Sequence, residues 1–192
     1  MDPKPYHHGD LRAALIAAAE MELAAHGIEA FSLRQVAKRA GVSHAAPAHH
    51  FGDANGLLTA LATEGFRQFR AMQATREAQA DPSARAQIIA AGLGYVDFAI
   101  ARPALFRLMH SSDRPAYDTP DLGQVAKAAY DHLCQGVAAV RSDAGVADIA
   151  AVWATAHGLA DLISSRRLYS VSSLPPAERD AVIANIIVRA LP

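Results

Sequence analysis

Alanine constrains this chain more than any other residue. Apolar residues fill 52% of the 192 positions, and much of that share is alanine. Alanine is the strongest helix former, because it orders no side chain and buries no polar group. Aromatic residues amount to only 6%, and runs of β-branched residues are short, so little favours a sheet. An all-α fold follows before any motif is considered, with apolar positions recurring three and four apart, as the buried face of a helix requires.

Nine helices are expected. Leu11, Leu15, Ala18, Ala19 and Leu23 mark a first one near 8–26, ended by Gly27. Leu33, Val36, Ala37 and Ala40 form the stripe of a short second helix, capped by Ser32 and stopped by Gly41. Ser43 is expected to cap a third near 44–50, with Pro47 in its first turn and Phe51 as the closing aromatic. Asp53 caps a long fourth helix running to about 78. Breaks at Asp81-Pro82, Arg102-Pro103, Thr119-Pro120 and Pro175-Pro176 open helices near 83–101, 103–110, 120–141 and 175–190, with an eighth near 146–167 in between. Residues 111–119 read as a loop and 1–7 as a flexible arm. The organisation is two-domain: a three-helix unit over 1–52 and a larger helical unit over 53–192. No flexible linker separates them, because the fourth helix begins almost at once.

Charge gives a local signal rather than a global one. The net charge of −1 and pI of about 6.7 exclude a whole-chain basic excess. Within 1–52, Lys4, Arg12, Arg34, Lys38 and Arg39 balance Asp2, Asp10, Glu20, Glu22 and Glu29. Six of the nine histidines fall in the same stretch: His7, His8, His26, His44, His49 and His50. Imidazoles gain charge beside a polyanion. The single cysteine, Cys134, allows no disulfide within the chain and reads as a small hydrophobe. Met1 to Pro5 lack the apolar core of a signal peptide, and no run of 18 apolar residues exists. A cytoplasmic protein with no membrane association is expected.

Residues 28–51 carry the functional signal. Two short helices meet at a glycine-containing turn, Gly41-Val42-Ser43, with small Ala37 at their crossing. That arrangement holds the second helix of the pair outward, free to enter a major groove. The stretch resembles the DNA-binding domain of TetR-family repressors, through Ser32-Leu33-Arg34-Gln35-Val36-Ala37, Ala40-Gly41-Val42-Ser43, His49-His50-Phe51 and Leu57-Leu58. The likeness covers about 8–62; further along, Trp153, His157 and Gly158 in the order W-x-x-x-H-G look like one C-terminal subgroup of that family. The resemblance implies roles. Ser32 would face a phosphate, Arg34 and His44 would reach base edges, Ala45 would lie near the groove floor, and His49 and His50 would contact the backbone. Lys4 and Arg12 would add arm or backbone contacts. Ala48 and Ala54 depart from the family, which usually places a tyrosine and a lysine there, both on phosphate.

In the second domain, Phe98, Phe106, Met109, Tyr130, Trp153 and His157, with Leu105 and Leu133, are candidates to line a ligand pocket, or to be ordinary core. Trp153 and His157 share one helical face; they either anchor a ligand or contact each other. Asp161, four residues on, is placed to orient His157. Helices eight and nine are expected to pair two subunits through Ile149, Val152, Leu159, Ile163, Val182, Ile186 and Ile187. His44, His49 and His50 are poorly spaced for a metal, and neither a nucleophile–base motif nor a phosphate-binding glycine loop is present, so no metal, cofactor or catalytic site is expected. The resemblance therefore implies a homodimeric, ligand-responsive repressor on a palindromic double-stranded DNA operator, with a small, apolar effector. The alternative is a dimeric small-molecule-binding or interaction module whose DNA head is weakened or lost, as Ala48 and Ala54 suggest.

Overall fold

The computed structural model describes residues 8–192, with side chains from Leu11 onward. Lys4, His7 and the side chain of His8 lie outside the described residues. Those residues form ten helices and no strand: α1 (His8–His26), α2 (Leu33–Ala40), α3 (Ala46–Phe51), α4 (Ala54–Glu77), α5 (Ala84–Ala101), α6 (Pro103–Ser111), α7 (Pro120–Val140), α8 (Val146–Ser164), α9 (Tyr169–Ser172) and α10 (Pro176–Ala190). The all-α expectation holds. The helix added to the expected nine is α9, a single turn. It arises because α8 stops at Ser164, three residues earlier than its apolar pattern suggested. Arg166 adopts the left-handed conformation (φ 59°), and Arg167 N and Leu168 N both donate to Leu162 O, which closes α8 and restarts the chain.

The chain divides into two compact units, residues 1–65 with 104–123, and residues 66–103 with 124–192. The division falls inside α4, at Gly65–Phe66, beyond the 52/53 position where the helix-turn-helix pattern ends. The first unit keeps the start of α4 because α6 packs on it. A Cβ on Gly65 would lie 2.6 Å from Met109 Sδ and 3.1 Å from Leu105 Cδ1, so the missing side chain is what lets α6 approach. The loop after α6 is tied to α4 as well. Arg114 Nε donates to Asn55 Oδ1 at 2.6 Å, Ala116 N donates to Thr59 Oγ1 at 3.0 Å, and the Tyr117 hydroxyl donates to Met109 O.

In the second unit α5 is the central helix, buried along most of its length and packed by α8 and α10. Gly94 permits the contact with the end of α4, since a Cβ there would meet Gln73 Cα at 2.6 Å. Gln73 Nε2 closes the same contact by donating to Ala91 O at 3.1 Å. Ile88, Val137 and Val152 make a second apolar cluster, joined by Leu133, Val140 and Ile149. A charged network stitches the edges: Arg76 reaches Asp97 at 2.6 Å and Asp180 at 2.7 Å, while His132 Nε2 lies 2.6 Å from Glu77 Oε1.

This packing corrects one expectation. Val152, Leu159, Ile163 and Ile187 are 3%, 6%, 3% and 1% exposed, so they belong to the core of their own subunit and cannot supply a surface for a partner. Ile149, Val182 and Ile186 are half-buried. Val152, Leu159 and Ile163 of α8 are buried within the subunit, and the exposed positions of α8 carry Val146, Ala147, Ala150, Ala151, Trp153, Ala154 and Leu162.

Candidate nucleic-acid interface

The reading head is built from α1, α2 and α3. Leu15, Leu23, Val36 and Ala37 are fully or almost fully buried, and Pro47 at the start of α3 is buried with them. Gly41 takes the left-handed conformation (φ 68°), which a Cβ would disfavour, and Val42 N donates to Ala37 O at 3.0 Å to finish α2. Both caps differ from the serine caps expected. Ser32 stands at the N-cap of α2 in extended conformation, but its side chain makes no capping hydrogen bond. Ser43 lies outside α3, whose N-cap position is Ala45; the turn is held instead by Ala46 N donating to Ser43 O at 3.0 Å.

The candidate DNA-contacting residues differ in exposure. Arg34, His44, Ala45 and His49 are exposed, while Ser32 and His50 are half-buried. The His49 and His50 rings meet edge to face at 5.5 Å, and His50 lies 6.2 Å from the Phe51 ring. Arg12 is not a free arm contact: its guanidinium sits 5.3 Å from the centroid of Phe51 and clasps the end of α3 to α1. Asp53 caps α4 as expected, with Gly56 N donating to its Oδ1 at 2.8 Å. Gly56 also allows α4 to start against α3, because a Cβ would fall 1.9 Å from Phe51 O.

One residue of the head escaped the sequence reading. Glu22 is 1% exposed, yet it is a carboxylate. Arg39 Nε donates to its Oε2 at 2.7 Å, and His26 Nδ1 lies 3.0 Å from its Oε1. A buried charge is tolerable only when paired. Arg39 is therefore the tie that sets α2 against α1. Glu22 follows Leu15 and Ala18 at helical spacing on the buried face, and that was the available signal.

The ligand candidates fall in both units. Phe106 and Met109 lie in the first and are 1% and 3% exposed; the Phe106 ring meets the His110 ring at a tilt, with centroids 4.8 Å apart. Phe98, Tyr130, Trp153 and His157 lie in the second. There, Phe98 and Tyr95 contact Phe69 with ring centroids 5.6 and 4.9 Å away. The Tyr95 hydroxyl shares a 2.9 Å hydrogen bond with His157 Nδ1, and the Trp153 side chain bonds the same phenol. Two members of the W-x-x-x-H-G pattern thus converge on one buried oxygen. Burial pushes the Tyr95 phenol up to about 12, with the Trp153 bond opposing. Trp153 and Tyr130 are each 44% exposed and meet edge to face at 5.8 Å. Among the described residues, no cluster of three or more His, Cys, Asp or Glu is grouped to hold a metal ion.

Comparison with known proteins decides the family. Residues 15–61 match the model for bacterial regulatory proteins of the tetR family, and residues 88–189 match a tetracyclin repressor-like C-terminal domain. The chain belongs to the TetR family. The TetR-family assignment is supported by the HTH-type transcriptional regulator BetI of Cronobacter sakazakii, 31% identical over 157 residues that span 78% of this chain and 74% of that one. In structure, a protein of unknown function from Rhodococcus sp. RHA1 superposes with a TM-score of 0.77 at 35% identity, covering 98% of this chain and 99% of that one. A TetR-family regulator from Marinobacter aquaeolei VT8 has the same fold, with a TM-score of 0.74 at 20% identity over 95% and 96% of the two chains. This TetR-family member is accordingly a DNA-binding, ligand-responsive transcriptional repressor, whose kinds of partner are DNA and a small-molecule effector.

Proposed function

We propose that the protein acts in the cytoplasm as a homodimer on a palindromic operator, and that Ser32, Arg34, His44, Ala45, His49 and His50 form its DNA surface. The observation that carries this reading is the division of the α2–α3 pair: Val36, Ala37 and Pro47 are buried, while Arg34, His44, Ala45 and His49 are open to solvent. The eight residues of α2 begin without a side-chain cap, which suits a phosphate near Ser32. In a dimer, the two reading heads would sit about 34–36 Å apart to meet successive major grooves.

The dimer surface is proposed on α8 and α10. The open face of α8 is lined by Ala147, Ala150, Ala151 and Ala154, and a Cβ on Gly158 would meet nothing within 4 Å. Ala181 and Asn185 are exposed on α10. Small side chains let two helices approach closely. α8 is long and apolar enough to cross a bilayer by length and composition, with only 28% of it buried; a second subunit would cover the rest.

The effector is proposed to be a small, largely apolar molecule sensed through Phe98, Tyr130, Trp153 and His157 of the second unit. The Tyr95–His157–Trp153 arrangement offers polar groups among aromatic walls. EbrR, similar in fold at 20% identity, is described as a multidrug binding protein and was solved with imidazole. That description fits a small organic effector.

The test is fluorescence anisotropy with DNA from the upstream region of the chain's own gene, against scrambled DNA, over a salt series, with sedimentation of the free protein. Selective binding by one dimer per palindrome is the expected result. Gly158→Trp is expected to shift the protein to monomer and abolish that binding; a dimer that survives the substitution refutes the α8 surface. Ala48 and Ala54 favour a second reading, a ligand-binding module with a weakened head. If genomic fragments bind unselectively, and Ala48→Tyr with Ala54→Lys creates selective binding where none existed, the second reading stands.

A further inference from the structure

We infer that the effector presents a hydrogen-bond acceptor, such as a carbonyl or ether oxygen, to the Nε2–H of His157, and that Tyr95 is the positioning residue that fixes this preference. The inference rests on the effector site proposed above and names the chemical class that the site selects. It follows from the direction in which hydrogen bonds run through Trp153, Tyr95 and His157. An indole N–H can only donate, and that of Trp153 goes to the Tyr95 phenol. The phenol oxygen lies 2.9 Å from His157 Nδ1. Tyr95 is 6% exposed, and its ring is held edge to face on Phe69 with centroids 4.9 Å apart. A hydroxyl so buried needs an acceptor within the protein. His157 Nδ1 supplies it.

A neutral imidazole that accepts at Nδ1 carries its proton on Nε2. The ring therefore turns a donor, and no acceptor, to every neighbour but Tyr95. The other polar tips are committed, the Trp153 N–H to Tyr95 and the Tyr130 hydroxyl to Cys134, one turn along α7. With those tips taken, Trp153 and Tyr130 offer a ligand ring surface: each is 44% exposed, and they meet edge to face at 5.8 Å. A ligand lying there is held by apolar contact, and its polar atom is sorted at His157. An oxygen acceptor gains the Nε2–H bond, an advantage of about fivefold over a hydrocarbon of the same shape. An ammonium brings donor against donor and gives up its water without replacement.

The experiment uses the full-length protein and three probes of one ring size: cyclohexanone, methylcyclohexane and cyclohexylammonium. Trp153 is the only tryptophan, so its fluorescence reads the site directly, and calorimetry gives affinities. Cyclohexanone is expected to bind about fivefold more tightly than methylcyclohexane, with cyclohexylammonium weakest. Nitrogen-15 spectra of the parent protein with labelled histidine, His157 being assigned by its loss in His157→Phe, are expected to show Nε2 protonated and Nδ1 bare. Tyr95→Phe is expected to release the ring to both tautomers and to narrow the preference for the ketone. His157→Phe is expected to abolish that preference while methylcyclohexane still binds; circular dichroism checks that each variant folds. A proton on Nδ1 in the parent, equal binding of ketone and hydrocarbon, an ammonium that binds as tightly as the ketone, or a ketone preference that survives His157→Phe overturns the acceptor proposal and leaves the effector site in place. Failure of all three probes to change the Trp153 signal or release heat overturns both the proposal and the effector site beneath it.

Discussion

Removing Arg39 should damage the reading head more than removing the buried acid it serves. Arg39→Met strands the Glu22 carboxylate, which is 1% exposed, with His26 as its remaining partner. Breaking a buried pair from one side costs about 3–5 kcal/mol. The Arg39 side chain is 32% exposed and His26 stays in place, so the expectation here is about 2–3 kcal/mol. Glu22→Leu behaves differently. It puts an apolar group of similar size beside Leu15, Ala18 and Leu23, and Arg39 is free to turn towards water, so the loss should stay within about 1 kcal/mol. The double variant should resemble Glu22→Leu, giving a coupling near 2 kcal/mol. The assay is urea unfolding at fixed protein concentration, since any self-association shifts apparent stability, with amide exchange on α1 and α2 to locate the effect. If Arg39→Met costs no more than Glu22→Leu, or the double variant is as weak as Arg39→Met, the carboxylate is not truly desolvated and the reasoning fails.

Three further outcomes are expected. Arg166→Gly relieves a left-handed residue at φ 59° and should raise the urea midpoint by an amount equal to about 1 kcal/mol without changing the m-value. Gly94→Ala should destabilise by about 1–3 kcal/mol, because the new Cβ meets the Gln73 backbone at 2.6 Å; in an open helix the same change would stabilise by about 1 kcal/mol, so the sign alone decides in urea unfolding. Tyr95 keeps its proton in the folded state up to about 12, against about 10 in the unfolded chain. Its contribution is therefore complete below pH 10 and lost as pH rises towards 12, a loss of roughly 2–3 kcal/mol that urea midpoints should show in the parent and not in Tyr95→Phe.

The fold was largely legible in the sequence because helices announce themselves locally. Gly27 and Gly41 stand where left-handed caps occur, Asp53 caps α4, and the proline breaks open α6, α7 and α10 where expected. The reading failed where a local rule met a tertiary one. Ser32 and Ser43 look like caps, but neither caps by its side chain. The α8 pattern ran through Arg166, since arginine gives no sign that it will adopt a glycine conformation.

The candidate functional residues divide along the same line. Arg34, His44, Ala45 and His49 could be placed on an outer face because short helices around one small core leave little choice of side. The second unit offered no such shortcut. Trp153 and His157 were visible as a pair, yet their common partner, Tyr95, lies 62 positions from His157 in sequence, and no spacing rule reaches that far. Four of the expected dimer residues, Val152, Leu159, Ile163 and Ile187, were misjudged for a related reason. Periodicity identifies the apolar stripe of a helix but cannot say which neighbour will cover it. In α8 Val152, Leu159 and Ile163 went inward, while Ala147, Ala150, Ala151 and Ala154 were left outside with Val146, Trp153 and Leu162. In the dimer proposed above, the small residues of α8 are the guide to the outer contact, because they leave room for a second helix to approach.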